Sequence, residues 1–153
     1  IAVLGGPATS YPSMMRRQGA QQAMEDAGIR FEDKLYGLSN YDFESAYHAM
    51  NGLLARRAEF TALFAMSDVI AFGAIRALVS AGLQVPEDVS VIGFDGITMS
   101  RYCVPVMTTI VQPSEQIALQ SIELLVRQIE HGAPAQTVTL QPELQQGESV
   151  RAI

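Results

Sequence analysis

Cysteine is all but missing from this sequence: Cys103 stands alone among 153 residues. A single cysteine excludes an internal disulfide and fits a reducing compartment, which makes the cytoplasm the expected location. Charge is also scarce, at 17% of residues against 48% apolar, a balance that builds a core and excludes a disordered chain. Lys and Arg number 10 against 16 Asp and Glu, and a net charge of −6 argues against gripping phosphate backbones unaided. Apolar runs stay short of the roughly 18 residues that mark a membrane span. The opening "IAVLGGPATS" lacks the basic start and cleavage site of a signal peptide. Catalytic hardware is thin as well. The Gly-rich turn "GGP" has neither a GK[ST] ending nor GxGxxG spacing, there is no GxSxG elbow, and no Cys/His cluster has metal-ligand spacing. No metal and no cofactor is therefore expected.

What the chain does have is alternation. "IAVL" at 1–4 reads as a buried strand bounded by Gly5, Gly6 and Pro7, followed by a helix over 13–27 that stops at Gly28. A weaker strand follows at 34–38. Asp42 is a plausible N-cap, after which Phe43, Ala46, Tyr47, Met50, Leu53 and Leu54 recur at helical spacing. "TALFA" at 61–65 is the third strand, and Ser67 caps a helix over 68–81 that stops at Gly82. Strands at 89–94 and 107–112, a helix over 114–131 before Gly132, and a strand at 136–140 complete the series. Repeated strand–helix units of this kind give an α/β fold with a parallel sheet flanked by helices. The rhythm breaks after Asp95, where "GITMSRYCVPV" is a long irregular connection.

In open parallel sheets, ligands bind beyond the carboxyl ends of the strands. Those ends deliver Ser10, Tyr11 and Arg16 after the first strand, Asn40 and Tyr41 after the second, Ser67 and Asp68 after the third, and Asp95 after the fourth. A carboxylate can accept from vicinal hydroxyls, Arg supplies a rigid fork of donors, and a Tyr ring offers a flat wall to a sugar or a base. Each member also has a plainer reading. Asp95 before Gly96 can be a turn residue, and Asp68 can serve the N-terminal dipole of its helix. Ser67 can be only a cap, Arg16 a solvated charge, Tyr41 a packing ring, and Cys103 a small apolar filler. His48 lies mid-helix and His131 at a helix end, so neither joins this rim and a Ser-His-Asp arrangement fails on placement. An enzyme is not expected; a hydrolase acting on a bound sugar would usually need a pair of carboxylates where the rim offers one strong candidate.

Longer strings are more specific. "FAMSDVIAFGAIRALVSAGLQVPEDVSVIGFDG" at 64–96, "PVMTTIVQP" at 105–113, "DFESAYHAM" at 42–50, and Gly6, Pro7, Arg16 and Gly19 together resemble LacI-type (lactose-repressor family) transcriptional regulators. Departures are Gly96 where a second Asp is usual, Val106 in place of a second Pro, and a tail lacking the usual Arg near Gly147. The resemblance implies the C-terminal part of an effector-binding domain with a periplasmic-binding-protein-like (type I) fold. Residues 1–110 would form the C-terminal subdomain, 111–135 a crossover and a helix of an otherwise missing N-terminal subdomain, and 136–153 a return strand and tail. A helix-turn-helix DNA-binding domain would lie outside this chain, so contact with DNA would run through that headpiece, with no membrane partner.

The resemblance further implies ligand contacts at Ser10, Arg16, Tyr41, Ser67 and Asp95, with Gln112 on the crossover strand added. It implies a small polar effector, sugar-like or nucleoside-like, and a homodimer through a patch including Phe72, Ile75 and Cys103. A periplasmic sugar-binding protein of an ABC transporter is the alternative that Gly96 favours. On the fragment reading, the stripe Ala118, Ile122, Leu125 and Ile129 lacks the lobe it would bury against.

Overall fold

The computed structural model describes residues 1–56 and 59–152. Strands β1 (Ala2–Gly5), β2 (Tyr36–Leu38), β3 (Ala62–Ala65), β4 (Ser90–Asp95), β5 (Thr108–Val111) and β6 (Glu143–Gln145) form one sheet in the order β2-β1-β3-β4-β5-β6. The first five are parallel, and β6 runs antiparallel to β5. Among the described residues four α-helices accompany them: α1 (Tyr11–Asp26), α2 (Phe43–Ala55), α3 (Asp68–Ser80) and α4 (Ser114–His131). No helix among the described residues is long and apolar enough to cross a membrane.

The helix boundaries follow local chemistry. α1 begins two residues before the expected position because Pro12 fits a first helical turn, where its missing N–H has no partner to lose. Asp42 caps α2, its Oδ1 accepting from the Ser45 amide at 2.7 Å, and Ser67 caps α3, accepting from the Ile70 amide at 3.1 Å. α4 closes on Gly132 at φ 61°, a left-handed position that suits glycine.

The strand expected at 136–140 is not there. "QTVTL" has the right residue types but carries no regular structure and is largely exposed, and the edge strand is Glu143–Gln145 instead. Strand propensity is realised only beside a partner. The register Thr109–Gln145, Ile110–Leu144, Val111–Glu143 gives the free edge of β5 to the later segment.

The two faces of the sheet are covered unequally. On one face Leu4, Leu63, Ala65, Val91 and Thr109 are all buried, under α2 and α3. On the other, Phe64, Ile92, Phe94 and Ile110 are only half-buried, because α1 covers just part of that face and leaves an apolar hollow of about 660 Å³. The α4 stripe faces outward: none of its 18 residues is buried, and Ile122, Leu125 and Ile129 are exposed.

Close approach of α2 to α3 is what seals the tighter face. A methyl built on Gly73 of α3 would overlap the Phe43 carbonyl and stand 2.8 Å from Ala46 Cβ, so the interface admits no side chain there. Gly73→Ala is expected to destabilise the fold by about 1–3 kcal/mol through overpacking, despite the better helix propensity of alanine. Urea unfolding of the two proteins checks this, and equal midpoints would contradict it.

Candidate ligand-binding site

Because β1, β3, β4 and β5 are parallel, their carboxyl ends open on the same edge of the sheet. Asp95 is the last residue of β4, and its backbone sits at φ 123°, outside the regions an L-residue normally occupies. Such a conformation costs on the order of 1–3 kcal/mol and persists only where its surroundings enforce it. The enforcement begins just after β5: the Gln112 amide donates to the Asp95 carbonyl at 3.1 Å, and Gln112 Nε2 donates to Asp95 Oδ1 at 2.7 Å. Arg16 arrives from the second turn of α1. Its guanidinium lies 3.8 Å from the centre of the Phe94 ring, Nη1 donates to the Met66 carbonyl, and Nη2 is 3.5 Å from Asp95 Oδ1. A stacked and hydrogen-bonded Arg is pre-organised, so it is no loose surface charge. Arg16, Asp95 and Gln112 are therefore in direct contact, and their side-chain contacts on Asp95 converge on one oxygen.

The remaining rim residues follow the carboxyl ends of β1, β2 and β3. Tyr41 follows β2 at φ 60°, its ring against Gly6, where any added methyl would overlap it. Its phenol oxygen is buried with no hydrogen-bond partner among the described residues. Ser10 is half-buried at the start of α1 and makes no capping bond with its side chain. Ser67 is buried, and its oxygen serves α3 as a cap while the hydroxyl proton stays available to donate. His48 and His131 are exposed on helices away from this edge. The sequence reading missed Phe94 and Met66, which support Arg16 from below. Phe94 was visible in principle, since Ile92 and Phe94 share the α1 face by strand alternation.

The description "Periplasmic binding protein-like domain" matches residues 1–150 of this chain. A transcriptional regulator, MalR of Clostridium butyricum, is 39% identical over 90% of the chain and 41% of its own length. The repressor PurR of Histophilus somni is 36% identical over 100% of the chain and 46% of its own length. Among solved structures, a transcriptional regulator CelR–cellobiose complex superposes with a TM-score of 0.92 at 32% identity, covering 97% of this chain and 46% of that one. The chain belongs to the periplasmic binding protein-like family, in its LacI-type branch. It spans less than half the length of the relatives just described.

In this LacI-type domain the patch expected to mediate self-association is only partly open. Phe72, Ile75 and Cys103 are half-buried and pack on the core, while Met99, Tyr102 and Val104 beside them in sequence are exposed. The Cys103 thiol has the carbonyls of Ser100 and Pro105 as alternative acceptors, and burial pushes its pKa up.

Burial also raises the Asp95 pKa, and the neighbouring Asp68 charge adds to it, against the opposing pull of Arg16 and the Gln112 hydrogen bond. A carboxyl with a raised folded-state pKa favours folding below its unfolded pKa, and that advantage is lost as pH rises through the folded value. Asp95→Asn, which keeps the shape without the charge, is therefore expected to stabilise the fold at neutral pH and to gain nothing at about pH 3, where the aspartate is protonated. Urea unfolding at the two pH values checks the sign. An equal gain at both would remove the electrostatic explanation.

Proposed function

We propose that this LacI-type domain is the effector-sensing part of a cytoplasmic transcriptional regulator, acting as a repressor, and that its strand-end rim binds a small polar ligand of the sugar or nucleoside class. The observation that carries the reading is Asp95: a half-buried, strained carboxylate at the end of β4, with Arg16 and Gln112 both on its Oδ1. Folds keep strain and a desolvated charge where a ligand repays them. Tyr41 supplies the wall, its unpartnered hydroxyl a further polar contact, and Ser10 and Ser67 complete the edge. The cellobiose carried by the CelR structure supports the sugar-like choice.

The mechanism is a population shift. Residues 111–135 are the segment through which this subdomain joins a second lobe, and ligand between the lobes favours a closed arrangement only by binding it more tightly than the open one. A two-fold dimer through Phe72, Ile75 and Cys103 would carry that change to DNA-binding headpieces outside this chain. The neighbouring carboxylate, Asp68, is fully buried and engaged by the Ile97 amide and the Thr109 hydroxyl, which favours sensing over hydrolysis. The periplasmic sugar-binding alternative is not favoured, since the relatives are transcriptional regulators.

Two measurements on the full-length protein test this. Calorimetric titration against a panel of disaccharides and nucleosides should find a ligand whose binding Asp95→Ala weakens by about 2–5 kcal/mol, as for a lost buried charged acceptor. A ligand bound equally tightly by the variant would refute the role of Asp95. Sedimentation should show a dimer that Phe72→Glu weakens, and a wild-type monomer at micromolar concentration would reject the proposed interface.

A further inference from the structure

Asp68 is fully buried, with 0% of its surface exposed, and lies in α3 immediately after the Ser67 cap. An acidic residue in the first turn needs no burial to favour the helix dipole, and most such residues stay in water. A wholly desolvated carboxylate must instead be satisfied by specific donors. Asp68 has two, and both come from elsewhere in the fold. Oδ2 accepts from the Ile97 amide at 2.9 Å, and Oδ1 accepts from the Thr109 hydroxyl at 2.5 Å. Room for the carboxylate is made by Gly93, since a methyl there would overlap Asp68 Oδ1. Gly93 and Thr109 are register partners on β4 and β5, so the two strands present a notch and a donor side by side.

The Ile97 bond is the informative one. It grips the chain two residues beyond Asp95, across the pair Asp95 (φ 123°) and Gly96 (φ 72°). The residue just after β5 holds the carbonyl side of the same strained pair, through the Gln112 amide. The turn is thus pinned at both ends, and the α3 pin is a buried side chain that the sheet alone does not require. Gly96 has little freedom to adjust, because any side chain there would collide with Val111.

We propose that Asp68 is the positioning residue of the ligand site: it ties the start of α3 to the turn after β4 and to β5, and so holds the Asp95 carboxylate at the rim. What Asp95 does there rests on the function proposed above; its being held there does not. Asp68 itself touches no ligand and acts through Asp95. The sequence offers this arrangement a plain rationale, since a glycine in a central strand, a Thr on the next and an Asp at a helix start otherwise each look dispensable.

The ligand-free full-length protein suffices for the test. Amide hydrogen exchange by NMR should show Asp68→Ala accelerating Ile97 roughly tenfold or more relative to the interior of α3, as expected when a local tie is cut without global unfolding. Asp68→Asn retains an acceptor for the Ile97 amide and should restore most of that protection. In the same Asn variant the carbon-13 titration of Asp95 should move to lower pH, because a neighbouring negative charge is gone. A residue serving only the helix dipole would change the Ile70 and Ala71 amides and leave Ile97 and Asp95 as they were. Wild-type exchange at Ile97 in Asp68→Ala overturns the proposal. Should that variant not fold, an unchanged Asp95 titration in Asp68→Asn overturns it instead. Absence of any sugar or nucleoside binding by the wild type would refute the proposed function and leave this inference standing.

Discussion

The structure turns on a carboxylate at the end of a central strand. β4 lies between β3 and β5, in the most enclosed part of the sheet, and it delivers Asp95 where the backbone hydrogen bonding of the strand gives out. A charge in that position must find partners, and they come from different elements: Arg16 from α1 and Gln112 from the segment after β5, while Asp68 of α3 holds the turn beyond it through the Ile97 amide. The site is therefore an intersection of four elements. Its geometry depends on all of them being docked, which ties the proposed binding role to the packing of the fold.

That packing is asymmetric for a physical reason. α2 and α3 approach closely because Gly73 leaves no side chain between them, and their face of the sheet is dry and sealed. The α1 face is covered only in part, and Phe64, Ile92, Phe94 and Ile110 remain half-buried there. Arg16 stands at the boundary, its guanidinium stacked on Phe94 at the edge of the hollow and its hydrogen bonds directed to the rim. The hollow is lined almost wholly by apolar side chains and suits packed hydrocarbon. The polar rim suits a hydroxylated ligand, so size alone does not identify the binding site.

Strain and desolvation at Asp95 oppose folding slightly, and the protein keeps both. A turn at φ 123° and a carboxyl whose pKa is pushed upward are the features that a stability optimum would remove. Retained at a strand end in a LacI-type fold, they support the ligand-site proposal. The buried, unpartnered Tyr41 hydroxyl supports it too.

The sequence by itself determined the element order, because short apolar runs separated by capped, helix-period segments have few other solutions. It also placed Arg16 and Asp95 on one edge, since parallel strands must open their carboxyl ends together, whereas Gln112 came only from the family resemblance. Two kinds of feature escaped it. The edge strand went to Glu143–Gln145 and not to 136–140, because strand pairing depends on which segment reaches β5, a matter of three-dimensional return path and not of residue type. Asp68 read as a dipole residue because its meaning lies in contacts with Ile97 and Thr109, 29 and 41 positions along the chain. Local chemistry is written in neighbouring residues, whereas a buried charge is defined by whatever folding brings to it, and only the tertiary structure shows that.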